Sequence, residues 1–173
     1  MAHTLPHTGI SLPTPIEVSG FDQIELSTGV AYTTTLHIDG TRIGQIENDG
    51  RGGDTWLRTT NAHRPAWKAL VEGARDQDGS PMGETDLYER LVDEAEMAKQ
   101  VRAASKARGR YAIRLTDAEG VHAIILVTHQ PWAGTYPAPR QLVNLQAPAG
   151  TVRAAVWHGA AGGWVNCYPL PVE

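Results

Sequence analysis

Tyr32-Thr33-Thr34-Thr35-Leu36-His37-Ile38-Asp39-Gly40-Thr41-Arg42-Ile43-Gly44-Gln45-Ile46-Glu47-Asn48-Asp49-Gly50-Arg51-Gly52-Gly53 is the stretch on which the fold turns. Tyr32, Thr34, Leu36 and Ile38 alternate with Thr33, Thr35 and His37, the period of two that turns one face of a strand inward. Asp39-Gly40 then supplies a tight turn, since both central residues of a type I′ turn need φ > 0. On the return strand Ile43 and Ile46 have opposite parity. A bulge near Gly44 would bring both to the buried face. The strand closes at Asn48, and the glycine-rich loop Asn48–Gly53 follows it.

Working outward, residues 24–60 read as a β-meander, with Thr55 to Thr60 as a further strand anchored by Trp56. A short helix is predicted over 65–75, with Pro65 in its first turn and Trp67, Leu70, Val71 and Ala74 on one face. A long amphipathic helix is predicted over 86–107, with Thr85 as N-cap and Leu87, Leu91, Ala95, Ala98 and Val101 at helical spacing. Asp86, Glu89, Asp93, Glu94 and Glu96 fill its first half, and Lys99, Arg102, Lys106 and Arg108 lie towards its end, which complements the helix dipole. Residues 110–168 return to short strands around a Pro-rich loop holding Trp132 and Tyr136. Strands, then helices, then strands predict an α+β fold with a mostly antiparallel sheet and the helices on one face. Pro6, Pro13 and Pro15 mark residues 1–20 as an extended N-terminal arm, leaving 21–173 as a single α+β domain.

A chain of 173 residues buries enough surface to fold without disulfides or a structural metal. The formal charge of −4 weighs against a general nucleic-acid or membrane-surface binder, although a local basic patch leaves nucleic acid open as a partner. Cys167 is the only cysteine, which points to a reducing compartment. The first 16 residues have neither a basic nor an apolar signal region, and the run Ala123–Val127 is far too short to span a bilayer. The expectation is a cytoplasmic protein with no membrane partner.

The chemistry-bearing residues are few. Asn48, Asp49, Gly50, Arg51, Gly52 and Gly53 are the candidate binding residues: glycine backbone lets a ligand approach N–H groups, and Arg51 adds a cation suited to phosphate or carboxylate. The same residues also suit a turn that simply needs φ > 0. The loop lacks the Lys-Ser/Thr end of a P-loop and the alternating acids of an EF-hand. Arg102 and Lys106, four apart on a helix, could join Arg51 in a phosphate patch or serve only the helix dipole. The seven histidines show no zinc spacing, so no metal is expected. No Gly-x-Ser-x-Gly elbow occurs, and Cys167 in an apolar strand reads as a buried thiol. Trp132, Tyr136, Trp157 and Trp164 suit either a stacking surface or sheet anchors. No catalytic residues and no cofactor are assigned.

The run from Leu36 to Gly53 resembles a hairpin and loop in small uncharacterised phage and bacterial proteins, of the form Asp-Gly-x-x-Val-Gly-x-Val-x-Asn-Asp-Gly-x-Gly-Gly. In those proteins an acidic-to-basic helix leads into a basic turn and a strand, similar to Glu84–Leu115, and an Asn follows an apolar strand, similar to Leu142-Val143-Asn144. The resemblance implies a mobile-element setting, with a host cell as the location, and carries over no catalytic residue. Two functions follow. One is a non-enzymatic binding or accessory protein that recognises a protein partner through the glycine-rich loop. The other is a phosphate-recognising nucleotide or nucleic-acid binding protein or enzyme built on Gly50–Gly53 and Arg51.

Overall fold

The computed structural model describes residues 2–106, 110–118, 122–128, 150–159 and 163–168. The fold is α+β, and every strand pairing among the described residues is antiparallel. The chain divides into two compact units, Met1–Glu96 and Met97–Glu173.

The first unit is a meander of four strands in sequence order, β3 (Ile16–Leu26), β4 (Gly29–Ile38), β5 (Thr41–Asp49) and β6 (Trp56–Thr59). Before it, β1 (His3–Thr4) and β2 (Ser11–Leu12) form a small hairpin of their own. The hairpin at Asp39-Gly40 forms as the sequence predicts, with φ of 50° and 72° at its two central residues. The predicted bulge is also present. Leu36 pairs with Gly44 and His37 with Arg42, so Ile43 is the extra residue, and Ile43 and Ile46 are both buried.

β3 begins at Ile16, eight residues before the predicted start of the meander at 24, because it contains a second bulge. Ser19 pairs with Thr35 and Asp22 with Thr33, so Gly20 and Phe21 together face Thr34. Gly20 takes φ 64°, and the bulge turns both Val18 and Phe21 inward despite their odd spacing. The bulge breaks the period of two, which hides the strand from a simple alternation test.

Helix α1 (Arg64–Gly73) and the first half of α2 (Glu84–Lys106) join the core formed by one face of this sheet. Trp67, Leu70 and Ala74 are buried and Val71 is packed against the same core, as the helical spacing predicts. α2 starts one residue before Thr85, the predicted N-cap. The side chain of Asp86 instead reaches back to the Gly83 N–H at 3.3 Å, half of a capping box.

Residues 2–20 hold β1, β2, the turn between them and the start of β3, and several of their side chains are part of the core. Leu5, Ile10, Leu12 and Val18 are buried in the cluster that holds Leu36 and Leu91. The turn between β1 and β2 is fastened by a buried carboxylate. Glu94 of α2 accepts the His7 N–H (3.1 Å to Oε2), the Thr8 N–H (2.7 Å) and the Thr8 hydroxyl (2.9 Å). A charge withdrawn from water in this way requires such donors.

In the second unit the strands run β10-β9-β7-β8, where β7 is Arg110–Asp117, β8 His122–Thr128, β9 Thr151–Trp157 and β10 Trp164–Tyr168. Ile113, Leu115, Ala154, Ala155 and Val156 are buried along β7 and β9. Trp157 and Trp164 pack against Val101 and Ala112, their rings 5.3 Å apart, and the Arg114 guanidinium lies 4.8 Å from the Trp164 ring. These two tryptophans are therefore sheet anchors. Trp132, Tyr136, the predicted strand 142–145 and the Cys167 side chain lie outside the described residues. Among those described, no helix is long and apolar enough to cross a membrane.

Candidate functional site

The glycine-rich loop is stitched to its own stem. Asn48 Oδ1 accepts the Gly50 N–H at 2.8 Å, and Asp49 Oδ1 accepts the Arg51 N–H at 3.0 Å. The Asn48 amide donates across the loop to the Gly53 carbonyl at 3.0 Å. The Thr28 hydroxyl donates to the Gly50 carbonyl at 2.8 Å, tying the loop to the turn between β3 and β4. Gly50 has φ 70°, and a Cβ there would lie 2.7 Å from the Ala31 nitrogen. Backbone geometry thus demands glycine at this position. Two of the N–H groups that a phosphate would use already bond to the loop's own side chains.

What the loop does is shape one end of the outer sheet face. Side chains of directly paired residues share a face. Ile24, Ala31 and Asp49 form one row across the sheet, and Asp22, Thr33, Glu47 and Trp56 form the next. These residues line a groove of about 310 Å³ with Asn48 and Asp49 at its lip. Its floor is apolar and open to solvent: Ile24 is 63% exposed and Trp56 41%. Trp56, predicted as the anchor of its strand, sits on the surface, because it pairs with Glu47 and shares that residue's outward face. Its indole N–H donates to Glu47 Oε1 at 3.0 Å.

The rim of the groove is acidic. Asp22, Glu47 and Asp49 line it, and among the described residues no Lys, Arg or His does. Glu47 pairs with Arg58 at 3.3 Å, whereas Asp22 and Asp49 make no ion pair among the described residues.

At the other end of β5 the chemistry reverses. Arg42, Gly44, Arg58, Thr59, Thr60 and His63 line a notch of about 350 Å³ that has no carboxylate in its wall among the described residues. β6 pairs only with Gly44–Glu47, so among the described residues no strand covers the β6 side of β5 at Arg42–Ile43. Sequence reasoning passed over this notch because its residues are dispersed over a bulge, a strand end and a helix start.

The predicted loop residues Asn48 to Gly53 thus lie together beside the acidic groove. Arg102 is exposed on α2, and the Lys106 side chain lies outside the described residues. Among the described residues no group of three His, Cys, Asp or Glu side chains is placed to hold a metal. Compared with protein-family models, curated proteins and solved structures, the chain matches none.

Proposed function

We propose that this chain is a non-enzymatic binding protein of phage or mobile-element origin that takes a protein partner on the outer face of the β3–β6 sheet, beside the Asn48–Gly53 loop. The observation that carries this reading is the groove itself, with its exposed apolar floor at Ile24 and Trp56 and three carboxylates around it. An apolar floor with an acidic rim suits a segment bearing a cationic head on an apolar stem, a Lys or Arg side chain flanked by aliphatic residues. Trp56 offers a ring face to such a cation. The mobile-element origin rests on the resemblance of Leu36–Gly53 to phage and bacterial hairpins.

Recognition of phosphate by the loop, the second reading, starts with two of its backbone donors, the Gly50 and Arg51 N–H groups, already bonded to Asn48 and Asp49. The first reading makes no demand on those donors.

The test is a titration, followed by amide NMR, with two short peptides of equal length, one alternating Lys and Leu and the other Glu and Leu. The basic peptide is expected to shift Ile24, Ala31, Thr33 and Trp56 saturably, and Trp56→Ala with Asp49→Asn is expected to remove the response. Equal responses to both peptides, or none to either, would rule the groove out.

A further inference from the structure

We propose that the notch at the opposite end of β5 is a binding site for the phosphoryl group of a small phosphorylated molecule. In a chain with a net charge of −4, a concave site with two arginines and, among the described residues, no carboxylate in its wall departs sharply from the average surface. Arg42 extends from the strand just before the Ile43 bulge, is exposed, and makes no ion pair among the described residues. Its planar guanidinium is free to meet two oxygens of a phosphoryl group at once.

Arg58 approaches from β6. It donates to Gln45 Oε1 at 2.6 Å and pairs with Glu47 at 3.3 Å, which holds its guanidinium over β5. The arginine side chain in that pair is 66% exposed, so the Glu47 contact is weak and a dianion can compete with it. Thr59, Thr60 and His63 complete the wall with polar side chains, although the Thr59 hydroxyl is already engaged with the Ile43 carbonyl at 2.6 Å.

Two further features agree with an anion there. His63 is the N-cap of α1, its side chain makes no capping hydrogen bond, and the first turn of the helix has no acidic residue. The positive end of the helix is therefore left uncompensated beside the arginines. Gly44 lets β6 close against β5: a Cβ there would collide with the Arg58 carbonyl oxygen, so a side chain at this position would disturb the main chain that carries Arg58.

The test is an amide NMR titration of the full chain with inorganic phosphate at low ionic strength. A parallel titration uses chloride at matched ionic strength. Saturable shifts are expected at residues 42–45, 58–60 and 63, with none in the glycine-rich loop. Arg42→Gln and Arg58→Gln should each weaken binding by about tenfold, the scale of one charge-assisted contact. Arg51→Gln should leave it unchanged. Arg42 is exposed, so its variant is expected to keep the thermal midpoint of the parent, which separates loss of binding from loss of fold. Parallel titrations with O-phosphoserine and with adenosine monophosphate then show which phosphorylated molecule is preferred. Absence of saturation, identical shifts with chloride, or full binding by Arg42→Gln would each overturn the proposal. The two sites have different lining residues, and Arg42→Gln leaves the Arg58–Glu47 pair in place, so its outcome is read apart from the acidic groove.

Discussion

The indole of Trp67 lies flat on the phenol ring of Tyr88, with centroids 5.0 Å apart and planes 11° apart. The two residues share one acceptor: Glu84 Oε1 receives the Trp67 N–H at 2.6 Å and the Tyr88 hydroxyl at 2.9 Å. One carboxylate oxygen thereby ties α1 to the first turn of α2 through the polar tips of a stacked pair.

Burial, reinforced by the hydrogen bond to Glu84 and by its charge, raises the Tyr88 hydroxyl well above its ordinary value of 10.0. The folded chain therefore keeps this proton to higher pH than the unfolded chain does. The stability that this contributes is complete below pH 10.0 and is lost as pH rises beyond it towards the folded value. Tyr88→Phe should cost about 1 kcal/mol near neutrality and flatten the alkaline fall in stability, as measured by denaturant melts across pH.

Asp93 carries the same kind of shift with the opposite consequence at neutral pH. Burial raises its carboxyl above the ordinary 3.8; Arg90 opposes the shift, while Glu96 and Glu89 add to it. The folded state thus favours the protonated acid, and the charged form weighs against folding at neutrality. Asp93→Asn should raise the thermal midpoint at pH 7, with the gain shrinking as pH falls through the folded value and absent below 3.8. A variant less stable than the parent at pH 7 would mean that the attraction of Arg90 outweighs the burial.

Three glycines should separate by mechanism. At Gly50 a Cβ meets the Ala31 nitrogen at 2.7 Å and φ is 70°, whereas at Gly52 φ is 84° with open space around it. Gly52→Ala should therefore cost only about 1 kcal/mol of stability through backbone strain, and Gly50→Ala distinctly more. Gly44→Ala collides with the Arg58 carbonyl oxygen, so its loss should appear as faster amide exchange along β6. Equal losses at Gly50 and Gly52 would mean that contact with β4 adds nothing to the backbone requirement.

Glu94 anchors the amino-terminal turn, so Glu94→Gln should lower stability by roughly 1–3 kcal/mol, since its amide faces donors with a donor. Hydrogen exchange at the His7 and Thr8 amides should report the loss directly.

The β4–β5 hairpin was legible because its turn and its alternation agree, and the inward pairing of Ile43 with Ile46 could be read from their odd spacing alone. The same signature in β3, Val18 and Phe21 around Gly20, passed unread because the prolines nearby suggested an arm. Glu94 looked like one more acid on a charged helix. Only the fold brings the His7–Thr8 turn, 86 or more residues away, to its carboxylate. The glycine-rich loop was found by composition, but composition does not say that its amides turn inward. The face of Trp56 depended on the register of a four-residue strand, which no local pattern fixes.

The two bulges flank the same strand at different heights, one opposite Thr34 and the other between Leu36 and His37. Sliding β4 by two residues would keep every side chain on its proper face, yet it would carry both irregularities away from the positions that accommodate them. The meander is therefore keyed like a lock with two wards. Slipped pairings that an even-pitched sheet would tolerate are closed to it, and so is the exchange of a strand between copies of the chain in any but the native alignment.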